Sequence, residues 1–166
     1  QEPRYDATYR QMMERCYWDY LRVYTPLGIE LLRSTPVSVP GNELLSGQPS
    51  PAETTVGPTE LDHEVLGTFF LLRRGETLEM QFEYTLPASV LRVEDGAAEY
   101  TLLVQKQPGT GATPLRVQVT LPPGMEVSNS VPPPTRVGDS VLEYTFTLVT
   151  DQRVSLVLRP AGGKAP

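Results

Sequence analysis

The sequence predicts an all-β chain made of two tandem antiparallel β-sandwich units, with one fused pseudo-symmetric sandwich as the alternative. Three observations carry this. Apolar and polar residues alternate with period two: Leu78, Met80, Phe82, Tyr84 and Leu86 interleave with Thr77, Glu79, Gln81, Glu83 and Thr85, and Leu142, Tyr144, Phe146 and Leu148 with Glu143, Thr145 and Thr147. That pattern belongs to strands with one face on a core and the other in water. The 17 Pro and 13 Gly fall mostly between apolar runs, where they act as turns. Finally, the chain repeats its own plan. Setting Gly28 on Gly124 lays residues 23–31 on 119–127, and further on 70–78 lies on 146–154. The order both times is strand, Pro-x-Gly turn, short strand, loop, long hairpin. Self-similarity in fixed order marks repeated supersecondary units.

The elements follow in order. Residues 1–15 put Tyr5, Tyr9, Met12, Met13 and Cys16 at near-helical spacing, but the duplicated order sets 7–11 on 103–107, so a strand is expected over 5–11. Strands at 16–25, 29–35, 65–73 and 76–86 complete the first unit. The continuously apolar run from Leu66 to Leu72 reads as a central strand. The second unit is expected to hold strands 98–107, 114–121, 125–129, 140–149 and 152–159. Five short strands with alternating faces and Pro/Gly turns give small immunoglobulin-like sandwiches, here over 1–88 and 96–160, with a disordered tail at 161–166. The junction lies between Pro87 and Ala98, around the polar turn Glu94-Asp95-Gly96. The units differ most in their middle loop. Residues 36–64 are long enough to imply a purpose, either a binding loop or a flap packed on the neighbouring unit. Residues 130–139 are shorter and centred on Pro132-Pro133-Pro134.

Composition limits the partners. A net charge of −6 and a sequence pI near 4.8 argue against nucleic acid, which demands clustered Lys and Arg, and against docking on anionic lipid. No apolar run approaches the ~20 residues of a membrane helix, so direct insertion by this segment is not expected. No signal peptide opens the chain, and the reading expects a piece of a longer exported protein. The single Cys16 excludes an intramolecular disulfide.

The unit order resembles the immunoglobulin-like repeats of bacterial and archaeal surface proteins, through the Pro-x-Gly-x-Glu turn and the Gly75-Glu76-Thr77 strand opening. More narrowly, Tyr20-Leu21-Arg22-Val23-Tyr24-Thr25-Pro26-Leu27-Gly28, Gly67-Thr68-Phe69-Phe70 and Leu102-Leu103-Val104-Gln105-Lys106-Gln107-Pro108-Gly109-Thr110 resemble the C-terminal region of an uncharacterised family. Its members are large membrane-anchored bacterial proteins of Chloroflexi and Actinobacteria, and the likeness spans about residues 16–122. It implies an extracytoplasmic, cell-surface location with the anchor outside this chain. It carries over no catalytic residue. The stretch Met12-Met13-Glu14-Arg15-Cys16 departs from the family, where a more polar turn is the pattern.

Candidate chemistry is sparse, and neither a catalytic residue nor a cofactor is expected. His63 is the only histidine, so any Cys–His or Ser–His arrangement must use it, and Cys16 reads as a small buried residue instead. Asp62-His63-Glu64 supplies weak calcium candidates in Asp62 and Glu64, but adjacent residues rarely converge on one ion, and a solvated turn is the simpler reading. Gly109-Thr110-Gly111-Ala112 reads as a plain hairpin turn. Lys106 reads as a mid-strand lysine facing solvent rather than as half of an isopeptide crosslink with Asn129, Asn42 or a nearby Asp. The most suggestive ligand site is the strand 17–24. Trp18, Tyr20, Arg22 and Tyr24 share one face, and Leu21 and Val23 the other. Such a row stacks on sugar rings if exposed, yet dense aromatics usually pack beneath something, here the 36–64 loop or the second unit. The expected function is a non-catalytic structural or interaction module of a bacterial surface protein, meeting envelope proteins or surface glycans. The alternative is a carbohydrate-binding module using strand 17–24 and loop 36–64.

Overall fold

The computed structural model describes residues 16–162. Among them are only β-strands and two single-turn 3-10 segments, at Gly41–Glu43 and Ala88–Val90. The expected strand at 5–11 and most of the tail (163–166) lie outside the described residues. The chain divides into two compact units, Gln1–Pro87 and Ala88–Pro166.

The first unit holds β1 (Tyr17–Pro26), β2 (Glu30–Ser34), β3 (Thr55–Val56), β4 (His63–Leu72) and β5 (Phe82–Thr85). The apolar run at 66–72 is central, as its composition predicts: β4 lies between β1 and β3 in a three-stranded sheet, while β2 and β5 form a separate ladder. The second unit holds β6 (Leu91–Glu94), β7 (Ala97–Val104), β8 (Thr113–Thr120), β9 (Met125–Val131), β10 (Arg136–Val137), β11 (Val141–Leu148) and β12 (Gln152–Pro160). Its sheets run β10-β11-β8 and β6-β7-β12-β9. All pairings are antiparallel. The two sheets of the second unit share one core. Val117, Leu142, Tyr144, Val154, Leu156 and Leu158 are buried in it, and Tyr100, Leu102, Val119, Val127 and Phe146 pack around them.

Corresponding strands occupy corresponding places. β4 pairs with β1 as β11 pairs with β8, β2 with β5 as β9 with β12, and β3 edges β4 as β10 edges β11. Gly28 and Gly124 sit in the left-handed region at φ 82° and 76°, each between the strand that pairs with the sheet centre and the strand of the other sheet. A residue with a Cβ is strained there, which is why the Pro-x-Gly turns are legible.

Several expectations change. The long hairpins are not hairpins, because β4 and β5 belong to different sheets, as do β11 and β12. In the second unit their alternating apolar residues meet across a core instead of pairing side by side, so the turn at 149–151 carries the chain from one sheet to the other, as the segment after β4 does in the first unit. The glycine turn at 109–111 is likewise no hairpin, since β7 and β8 lie in different sheets. The strand expected over 76–86 shrinks to Phe82–Thr85 because its partner β2 has five residues and a bulge between Leu31 and Arg33. β6 was hidden in the junction. Asp95 and Gly96 at φ 48° and 74° form the tight turn of a β6–β7 hairpin, and Leu91 and Val93 alternating with Arg92 and Glu94 were its signal.

Loop 36–64 folds onto its own unit. Val39 is only 1% exposed and Val37 is also buried. The Val37 amide donates to Ala52 O and the Ser50 amide to Val39 O. Thr54 and Thr68 join hydroxyls at 2.7 Å, Arg73 donates to Glu43 at 3.0 Å, and β3 extends the sheet. Truncating Val39 to Ala removes two methyls from a filled site. It is expected to cost about 1–2 kcal/mol, and limited proteolysis should show faster cleavage within 40–50.

Candidate functional site

The β1–β4 ladder fixes the geometry of the aromatic strand. Side chains alternate along β1, and directly paired residues share a face. On the inner side Val23 pairs with Leu66, Leu21 with Thr68 and Asp19 with Phe70; Leu66, Thr68 and Phe70 are buried. The other side carries Trp18 opposite Leu71, Tyr20 opposite Phe69, Arg22 opposite Gly67 and Tyr24 opposite Val65. This aromatic face is not packed away: Trp18, Tyr20 and Tyr24 are 43%, 48% and 46% exposed. The four residues that the sequence singles out therefore sit together on one open sheet face.

Each ring is held. Trp18 stacks on Phe69 with centroids 6.1 Å apart and planes inclined by 30°. Tyr20 reaches across β4 at Gly67, and its hydroxyl meets Thr55 Oγ1 of β3 at 3.1 Å. A Cβ at Gly67 would fall on the Tyr20 hydroxyl oxygen and within 2.6 Å of Cζ, so the missing side chain is what lets this ring lie over the strand. The Arg22 guanidinium lies 5.5 Å from the Tyr24 ring centre and pairs with the Glu60 carboxylate, which also accepts the Tyr24 hydroxyl at 3.1 Å. His63 meets Tyr24 edge-on at 6.3 Å. An exposed ion pair stabilises little by itself. Here it orients a donor, an acceptor and a ring relative to one another.

Glu60 and His63 owe their positions to a tight turn that the sequence does not announce. Each donates its amide to the other's carbonyl at 2.9 Å, and Leu61 and Asp62 between them stand at φ 47° and 62°. Two consecutive left-handed residues suit Asn-Gly, not Leu-Asp. Leu61 is 91% exposed at the tip, at the same end of the face as Tyr24. Replacing Leu61-Asp62 with Asn-Gly relieves that strain and is expected to raise stability by about 1 kcal/mol, read as a higher urea midpoint.

The other candidates are dispersed. Cys16 precedes β1 while His63 opens β4, at opposite ends of an antiparallel ladder and thus roughly 30 Å apart. His63 Nδ1 lies 2.7 Å from the Leu61 carbonyl. Asp62 occupies the turn tip, and the Glu64 carboxylate accepts the Gly28 amide at 3.2 Å; among the described residues no trio of His, Cys, Asp or Glu gathers around a point. Lys106 is not mid-strand, because β7 ends at Val104. Its ammonium donates to Thr110 and to the Gln107 carbonyl at 2.8 Å, closing the glycine turn. At the start of β1, Tyr17 donates to Asp19 at 3.1 Å, and that hydrogen bond, with the carboxylate's charge, holds the phenol above the ordinary tyrosine range.

The second unit supplies an internal comparison. With the turn glycines aligned, β8 and β11 repeat the β1–β4 register pair for pair: Pro114 opposite Thr147, Arg116 opposite Thr145, Gln118 opposite Glu143, Thr120 opposite Val141. Where the first unit has Trp18, Tyr20 and Tyr24, the second has Pro, Arg and Thr, and where the first has Gly67 the second has Glu143, which accepts Gln118 at 3.1 Å. The same ladder thus folds with a polar outer face. The fold does not require the aromatic one. Compared with protein-family models, curated proteins and solved structures, the chain matches none.

Proposed function

We propose that this chain is an extracytoplasmic interaction module of a bacterial cell-surface protein, built from two immunoglobulin-like sandwiches descended from one duplicated β-module. The first unit binds through the outer face of β1 and β4; the second supports and spaces. The observation that carries this reading is the contrast between Trp18, Tyr20, Arg22 and Tyr24 and their non-aromatic counterparts Pro114, Arg116, Gln118 and Thr120 on an identically registered ladder. Exposing three large rings on a sheet costs solubility, and a sequence that had only to fold could do without them, as the second unit does with Pro114, Arg116 and Thr120. Trp, Tyr and Arg are also the side chains that dominate binding energy at recognition surfaces. The surface location is drawn from the likeness to bacterial surface proteins described above.

The test compares two double variants of the full chain for binding to envelopes isolated from the organism that makes it. Trp18→Ala with Tyr20→Ala is expected to abolish retention while far-UV circular dichroism stays unchanged. Pro114→Ala with Arg116→Ala, at the matching positions of the second unit, is expected to bind as the wild type does. Equal retention by both variants would refute the assignment of binding to the first unit.

A further inference from the structure

We infer that the occupant of the β1–β4 face is an extended, uncharged polysaccharide, its sugar rings stacked on Trp18 and Tyr20 and its hydroxyls bonded to Arg22 and Glu60. This rests on the preceding reading that the face is a binding surface, and it names the class of ligand.

Four features favour a glycan over a protein. The platform is open and continuous along a strand rather than a pocket, so it suits a polymer lying lengthwise. Side chains on one face of a strand repeat every ~6.7 Å, which places Trp18, Tyr20, Arg22 and Tyr24 as successive stations. The ring of Tyr20 is laid across β4 by Gly67, and that of Trp18 is backed by Phe69, so both meet a ligand in a fixed attitude and little side-chain freedom is lost on binding. Held aromatic rings of this kind offer faces for the C–H side of a sugar.

The middle of the face is an ion pair. Covering Arg22 and Glu60 with the apolar centre of a protein interface strips water from both charges, a loss that their mutual attraction does not reliably offset. A sugar replaces that water with hydroxyls, which donate to the carboxylate and accept from the guanidinium. Thr55, already joined to Tyr20, adds another hydroxyl at the edge. Charge then narrows the class. Arg22 is neutralised by Glu60, and the chain carries a net charge of −6, so an acidic polysaccharide would meet no free cation among the described residues of the face and a repulsive field around it.

Trp18 is the single tryptophan of the chain, so the platform carries its own reporter. The experiment titrates the full chain with a panel of neutral polysaccharides (α- and β-glucans, mannan, xylan, galactan and arabinan) and follows Trp18 emission. One or more members are expected to give a saturable blue shift. Tyr20→Ala and Gly67→Ala should weaken that ligand at least ~10-fold, with circular dichroism unchanged, while Tyr20→Phe, which keeps the ring, should stay near wild type. Polyanionic alginate and polygalacturonate should give no shift. A panel that leaves the emission unmoved overturns the inference, as does a shift that Tyr20→Ala does not alter. If envelopes still retain the chain through Trp18 and Tyr20 but protease treatment of the envelopes removes that retention, the ligand is a protein; the glycan inference then fails and the binding-face reading stands. If the Trp18/Tyr20 variant binds envelopes as the wild type does, both fail.

Discussion

Gly67→Ala is expected to leave the first unit folded and to remove the binding face proposed for it. The new methyl cannot coexist with the Tyr20 ring, whose hydroxyl oxygen and Cζ occupy its place. Those atoms are the far end of a rotatable side chain, so the conflict resolves by Tyr20 swinging outward instead of by displacement of β4. The cost to folding is then the bond to Thr55, about 1 kcal/mol. Against it stands a gain of roughly 0.5–1 kcal/mol from replacing Gly within a regular element. Net stability should move by no more than about 1 kcal/mol. Binding should fall much further, because one of two fixed rings is no longer in place. A central aromatic contact is typically worth at least ~2 kcal/mol, roughly a 30-fold loss of affinity. Equilibrium unfolding and binding measured on the same preparation check both halves. A destabilised protein that still binds would mean that Gly67 serves packing and not the platform.

Tyr144→Ala produces the largest loss of stability. Tyr144 is 1% exposed at the centre of the second unit's core and stacks with Phe146 at a centroid distance of 6.4 Å. Its hydroxyl lies 2.8 Å from Ser130 Oγ, which itself donates to the Pro132 carbonyl at 2.7 Å, so the tyrosine is the donor to the serine. Truncation opens a cavity between two sheets that cannot close without breaking ladders. The expected cost is about 3–5 kcal/mol, a large part of what a domain of this size possesses. Tyr144→Phe keeps the ring and loses only the donation, for about 1 kcal/mol. Thermal melts followed by circular dichroism distinguish them, with Tyr144→Ala lowering the second unit's midpoint by about 15 °C or more. Similar effects from both variants would show that the hydroxyl chain, not the ring, holds the core.

The two variants probe what the amino-acid pattern makes legible and what it leaves out. Period-two alternation identified the long strands because one face of each must meet a core, and the continuous run at 66–72 announced the central strand of its sheet. It did not reveal which strands pair. The alternation of 140–149 and 152–159 is the same whether they lie side by side or face each other across a core, and the second arrangement is the one present. Two-residue strands such as β3 and β10 are too short to show any period. At the site, the shared face of Trp18, Tyr20, Arg22 and Tyr24 follows from alternation alone. Its exposure does not, since nothing in a strand's own sequence states what lies above it. Glu60, Thr55 and Gly67 join the site only through the β1–β4–β3 pairings, with no local motif to mark them. The left-handed Leu61-Asp62 turn carries neither Asn nor Gly, so the usual signal of a tight hairpin was missing there.

The central claim is that recognition belongs to the outer face of β1 and β4 and not to the matching face of β8 and β11. Amide hydrogen exchange of the full chain, with and without isolated envelope material, tests it most directly. The account expects slower exchange along 17–24 and 63–71 on binding, with 113–120 and 141–148 unchanged. Protection confined to the second pair of strands, or bound chain with no protection on the first, would contradict it.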